Sequence, residues 1–78
     1  MKYDKIKALL SLNKKNFTDY ANYMNVSKQQ LSNKKKSDSF KADELIKLAE
    51  MTGTILAFND KNTGKPLIEF DISDLKSE

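Results

Sequence analysis

No cysteine and no histidine occur among the 78 residues. Their absence removes a disulfide framework and a thiolate nucleophile, and with them the commonest general base and the commonest transition-metal ligand. Neither a catalytic residue nor a metal or cofactor site is therefore expected. The adjacent carboxylates Asp43 and Glu44 point apart on a helix and suit its first turn, not acid–base chemistry. Arginine is missing as well. All 14 basic residues are lysine, so no guanidinium fork is available for paired contacts to phosphate or guanine. Long hydrophobic runs are also lacking. In MKYDKIKALLSL the longest apolar stretch is ALL, too short for a signal-peptide core, and no stretch is long enough to span a bilayer. One soluble, cytoplasmic domain over residues 1–78 is expected, away from membranes and with a modest core set by its length.

What is present is charge, unevenly placed. Residues 1–36 hold nine lysines against Asp4 and Asp19, net +7, whereas residues 37–78 hold five lysines against nine acids, net −4. Such polarity favours a polyanion that meets the N-terminal half and disfavours one that wraps the whole chain. For any single lysine, a solvated surface position explains the residue equally well.

The helical signals are local and consistent. Ile6, Leu9 and Leu10, with Tyr3 one turn earlier, predict a first helix over residues 3–12. Asn16 with Asp19 three residues on is an N-cap pair, and Phe17, Tyr20, Ala21 and Met24 form the core stripe of a second helix over 17–24. At Asn25, a residue that tolerates a left-handed backbone, this helix stops. Ser27 and Gln30 then have capping-box spacing, and Val26 and Leu31 sit where a hydrophobic staple places its two residues. The joint at residues 25–27 is too short for antiparallel helices, so it predicts a helix-turn-helix. A further staple, Phe40 with Leu45, opens a fourth helix after Lys41, a poor N-cap, and Gly53 ends it.

From Thr54 the period changes to that of strands. TILAF and LIEFDI flank NDKNTGKP, and Gly64 suits the left-handed position of a three-residue loop at Asn62 to Gly64. That turn pairs Phe58 with Ile68, Leu56 with Phe70 and Thr54 with Ile72, which makes one face almost wholly apolar. A lone two-stranded hairpin is marginal in water, so this face must cover the helices or a second copy of the chain. Pro66 implies that the second strand keeps one side unpaired. The expected organisation is thus mainly α: a helical bundle over 3–53, a β-hairpin over 54–72 that is a candidate dimerisation element or completes the core of one chain, and a tail at 73–78 with no assigned structure.

The third helix, in the stretch MNVSKQQLSNKKK, raises the question of function. With Leu31 at the centre of the buried face and 100° per residue, Gln29 and Asn33 fall within about 20° of the opposite pole. Ser32 and Lys36 lie on the shoulders and Lys28 on the first turn. Amides pair with adenine N6 and N7, lysine donates to guanine O6 and N7, and serine suits either, so this outward face carries groups that suit base edges. The candidate phosphate contacts are Lys14, Lys15 and Asn16, the backbone N–H of Phe17 at a helix N-terminus, and Lys34, Lys35 and Lys36 at the far end of the reading helix.

These residues resemble the Cro/cI-type, or Xre-type, helix-turn-helix regulators of phages and bacteria. The resemblance is carried by FTDYANYMNVSKQQLSN. Ala21 matches the small residue at the helix crossing, Asn25 the usual turn glycine, Val26 and Leu31 the core positions, and Ser27 the hydroxyl cap. It extends over residues 3–53, with SFKADELIKLAEMTG as the following helix. It implies base contacts at Lys28, Gln29, Ser32 and Asn33, and phosphate contacts at Asn16 and in the loop after the third helix. The chain departs from the family at Phe17, where many members have a glutamine that supports a phosphate contact. It also ends in a hairpin where many members have a fifth helix, like the short Cro-like members whose C-terminal strand pairs across a dimer. The implied function is sequence-specific binding of double-stranded DNA by a homodimeric transcriptional regulator, a repressor that occludes a palindromic operator. The alternative is a helix-turn-helix scaffold used as a protein-interaction module or as an inhibitor of a host protein.

Overall fold

The computed structural model describes residues 2–75. Four helices, α1 (Lys2–Leu12), α2 (Phe17–Met24), α3 (Lys28–Ser37) and α4 (Ala42–Met51), precede the strands β1 (Leu56–Asn59) and β2 (Pro66–Phe70) and a single 3-10 turn at Ile72–Asp74. The expected mainly helical domain with a C-terminal hairpin is therefore what forms. No helix among the described residues is long and apolar enough to cross a membrane.

The helix starts follow the local signals. At α2 the Asn16 side chain accepts from the Asp19 N–H at 2.9 Å, while the Asp19 carboxylate accepts from the Asn16 N–H at 3.0 Å. Ser27 and Gln30 make the same reciprocal pair at α3, at 3.1 and 2.8 Å. Only half of this arrangement forms at α4. Glu44 reaches back to the Lys41 N–H at 2.7 Å, but the Lys41 side chain caps nothing.

All four helices end in one way. A residue in the left-handed region follows each, namely Lys14, Asn25, Asp38 and Gly53. The next N–H then turns back to the carbonyl five residues earlier: Lys15 to Leu10, Val26 to Ala21, Ser39 to Lys34 and Thr54 to Ala49, at 2.8 to 3.2 Å. These bonds satisfy carbonyls that a helix end leaves without a partner. Glycine fills only one of the four positions. Asn25 and Asp38 carry the short polar side chains that best tolerate this conformation, and Lys14 tolerates it least.

Around these ends the core closes on Tyr20 and Leu10, 0% and 1% exposed. Ile6 and Met24 extend it along the same two helices, Leu31 of α3, Phe40 of the loop before α4 and Leu48 of α4 complete it, and Val26 packs against its edge as the staple requires. Tyr20 stacks on Phe40 at 6.5 Å and donates its hydroxyl to the Glu44 carbonyl at 2.7 Å. A buried phenol needs such a partner. Burial pushes its ionisation well above the usual tyrosine range, and the Glu44 carboxylate pushes it the same way.

The hairpin keeps the expected pairs Phe58 with Ile68 and Leu56 with Phe70, but it differs at both ends. At the turn, the Asp60 N–H donates to the Lys65 carbonyl at 2.7 Å, so the loop is residues 61–64 and not the three residues from Asn62. The Asp60 carboxylate starts the turn early by gathering the N–H groups of Asn62 and Thr63, which also hold it below the usual carboxylate range. Asn59 consequently faces Pro66, and the ladder shifts register between Phe58 and Asn59 before regaining the expected pairs.

At the base, Thr54 and Ile72 do not pair. The Thr54 hydroxyl and N–H both serve the end of α4, and Asp71 caps the 3-10 turn through the Ser73 N–H. Ser73 and Asp74, expected to lack structure, belong to that turn, which packs against α4; residues 76–78 of the expected tail lie outside the described residues.

Candidate nucleic-acid interface

The side chains on α3 divide by the burial of Leu31, which is 3% exposed. Gln30 is consumed by the cap, so it faces the turn. On the opposite side Gln29 and Asn33 are exposed, Lys28 is exposed on the first turn beside Leu31, and Ser32 is half-buried on the shoulder. Gln29 Nε2 donates to Asn33 Oδ1 at 3.2 Å, one helical turn apart. All four candidate base-contacting residues therefore lie together on one helix, which two reciprocal bonds fix at its N-terminus. Rigid elements place recognition groups more accurately than loops do.

The lysines that flank this face are not equivalent. Lys35 lies with its Nζ 4.7 Å from the Phe17 ring centroid and 5.7 Å from that of Tyr3. The Tyr3 and Phe17 rings are themselves 5.3 Å apart. A cation over aromatic faces is held by the ring quadrupole, worth about 0.5–1 kcal/mol at an exposed site. Phe17 thus sets an ammonium beside the first turn of α2. A shallow cleft of about 140 Å³ opens there between Phe17, Thr18, Lys28, Leu31, Ser32 and Lys35.

Lys34 points elsewhere. Its Nζ sits 2.6 Å from Glu44 Oε2, which ties the end of α3 to the start of α4. Glu44 is a junction: one carboxylate oxygen takes the Lys41 N–H, the other takes Lys34, and the backbone carbonyl takes Tyr20. Lys36 is exposed at the end of α3, and Lys14, Lys15 and Asn16 are exposed in the loop before α2. The Oδ1 of Asn16 is used by the cap, so any outward contact from this side chain falls to its amide Nδ2.

Sequence reasoning missed one contact that positions this surface. Asp38, just beyond α3, accepts from the backbone N–H of Tyr3 at 3.0 Å and of Lys2 at 3.4 Å, and so caps α1 across 35 residues. An Asp placed just after a helix signals the left-handed stop, but nothing in the sequence says which N–H groups its carboxylate meets.

Residues 7–58 match the family model of the bacteriophage CI repressor helix-turn-helix domain. The chain belongs to that family. It is accordingly a DNA-binding regulator of the helix-turn-helix class, and the resemblance read from the turn and cap residues is confirmed at the family level. The matched segment begins within α1, contains the whole of α2, α3 and α4, and ends in β1; β2 and the exposed hairpin tip fall outside it. No match was found among curated proteins or among solved structures.

Proposed function

We propose that this member of the CI repressor helix-turn-helix family binds duplex DNA sequence-specifically as a homodimer and represses transcription by occupying its operator. The observation that carries the reading is the outer surface of α3, where Gln29 and Asn33 point away from buried Leu31 and Lys28 and Ser32 flank them on the side of the cleft against α2. In the major groove these residues meet base edges. Lys14, Lys15, Asn16, the Phe17 backbone, Lys35 and Lys36 meet phosphates on either side. Lys34 joins them only by leaving Glu44. The bound protein excludes polymerase from the same stretch of duplex.

The dimer is supported by the hairpin. Leu56 and Phe70 are half-buried against α4, whereas Phe58 and Ile68, on the same face, are 66% and 58% exposed. A second copy would cover them and set two reading helices about one helical turn, roughly 34 Å, apart.

Selection of bound duplexes from a randomised pool at near-physiological salt tests both parts. An inverted repeat with half-sites about 10 base pairs apart is expected. A single half-site removes the dimer and leaves the hairpin to complete the core of one chain. No enriched sequence removes the DNA reader and favours the protein-interaction role. In follow-up binding assays, Gln29→Ala costs about 1–3 kcal/mol on the operator and relaxes one base position, while Lys15→Ala weakens all sequences alike. Equal losses on operator and random DNA for Gln29→Ala would remove α3 as the reading helix.

A further inference from the structure

A carboxamide carries its acceptor and its donors at opposite ends of one plane, and a 180° flip exchanges them. On a free side chain both orientations are available, so a lone exposed glutamine offers a base edge two hydrogen-bonding patterns. On α3 one orientation is singled out. Gln29 Nε2 donates to Asn33 Oδ1 at 3.2 Å, with both residues exposed and one turn apart on the face directed away from Leu31.

We propose that Asn33 is a positioning residue that fixes the polarity of the Gln29 carboxamide, so that the two amides read DNA as one coupled unit. This inference rests on the DNA-binding reading of α3. The two N–H bonds of a carboxamide diverge, one lying alongside the C=O and one pointing away from it. When the diverging N–H is given to Asn33, the C=O and the remaining N–H of Gln29 stay together on one edge. That edge complements adenine, with Oε1 accepting from N6 and Nε2 donating to N7. Asn33, having turned Oδ1 toward Gln29, presents its Nδ2 to the next base step, where it can meet an acceptor only. The pair therefore specifies adenine at the Gln29 position and an acceptor beside it. It disfavours cytosine at the first, because cytosine N4 can donate to Oε1 but offers no acceptor to Nε2.

The test is the same pool selection carried out with the wild-type chain and with Gln29→Ala, Asn33→Ala, Asn33→Asp and Gln29→Glu, each first checked for an unchanged thermal transition. The wild type is expected to enrich adenine at one position of each half-site, and Gln29→Ala identifies that position. Asn33→Ala should flatten the same position, with a loss of discrimination of roughly 10-fold or more. Asn33→Asp keeps an acceptor for Gln29 Nε2, so it should retain the adenine preference while losing preference at the neighbouring step. Gln29→Glu can no longer donate to Asn33; its carboxylate should accept from cytosine N4 and switch the preference from adenine to cytosine. A wild-type motif whose Gln29-dependent position survives Asn33→Ala would overturn the coupling and leave the DNA reading intact. Retention of adenine by Gln29→Glu together with its loss in Asn33→Asp would overturn the assigned polarity. A wild-type selection with no motif would overturn the DNA reading and the coupling with it.

Discussion

Lys41 stands at the N-cap of α4 with an extended backbone, the conformation in which a serine hydroxyl accepts from the third helical N–H. Glu44 already supplies the return bond, so one side-chain oxygen at residue 41 would complete the pair that α2 and α3 possess. Lys41→Ser should raise stability by about 1 kcal/mol or less, read from the midpoint of urea unfolding with an unchanged slope. Tyr20 supplies a contrasting case, because its buried hydroxyl is already paired with the Glu44 carbonyl. Tyr20→Phe should cost about 1 kcal/mol at neutral pH. The wild type should also show a pH signature. Folding raises the ionisation of this phenol above its unfolded value of about 10, so its contribution is complete below that pH and is lost as pH climbs past it. Tyr20→Phe should therefore flatten the decline in stability above pH 10, measured by denaturant titration at several alkaline pH values. An unchanged decline would assign the alkaline loss to other groups.

At the scale of elements, Asp38 joins the end of α3 to the start of α1. One residue supplies the left-handed stop of α3 and the acceptor for two N–H groups of the first helix. Asp38→Ala loses both functions and should cost about 2 kcal/mol, combining a lost cap with the strain of alanine in the left-handed region. Asp38→Asn keeps an acceptor and the tolerance for that backbone, and should lie near the wild type. Thermal melts of the two variants settle the matter, and equal losses for both would mean that the charge, not the hydrogen bonding, is what α1 needs. This contact also marks where sequence reading stops. The starts of α2 and α3 were legible because a cap and its partner lie three residues apart, as at Asn16 and Asp19 or Ser27 and Gln30. The central pairs of the hairpin were legible from Gly64 and strict alternation. The loop at 61–64 was not, because the Asp60 carboxylate moved the turn by one residue. For the interface, the outward face of α3 followed from angular position alone, with Leu31 as the reference. The pairing of Lys34 with Glu44 and the seat of Lys35 on Phe17 did not, since each depends on how two helices cross.

At the scale of the whole molecule, the excess of positive charge and most of the exposed large apolar side chains lie on different parts of the chain, Leu12 and Tyr23 being the exceptions. The basic half contains α2, α3 and the loop before them, while the acidic half carries the hairpin, where Phe58 and Ile68 stand exposed. A polyanion and a second copy of the chain can therefore be bound together without competing for the same surface. Phe58 is the residue on which this arrangement is most directly tested. Within one chain it meets Phe70 edge to face at 5.9 Å, a contact worth about 0.5–1.5 kcal/mol, and is otherwise largely open. Phe58→Asp should therefore cost a single chain little more than that contact. If the hairpin joins two copies, the same change places two desolvated carboxylates in the interface and should abolish the dimer. Sedimentation equilibrium then reports a monomer, and operator affinity falls to that of one half-site, because the second reading helix is no longer held at a high effective concentration. Binding to random DNA should weaken far less, since the lysines of α3 and the preceding loop are untouched, and its steep dependence on salt should persist. A variant that instead unfolds, from a wild type that is already monomeric, would show that Phe58 completes the core of one chain, and operator recognition would then have to be explained with a single α3.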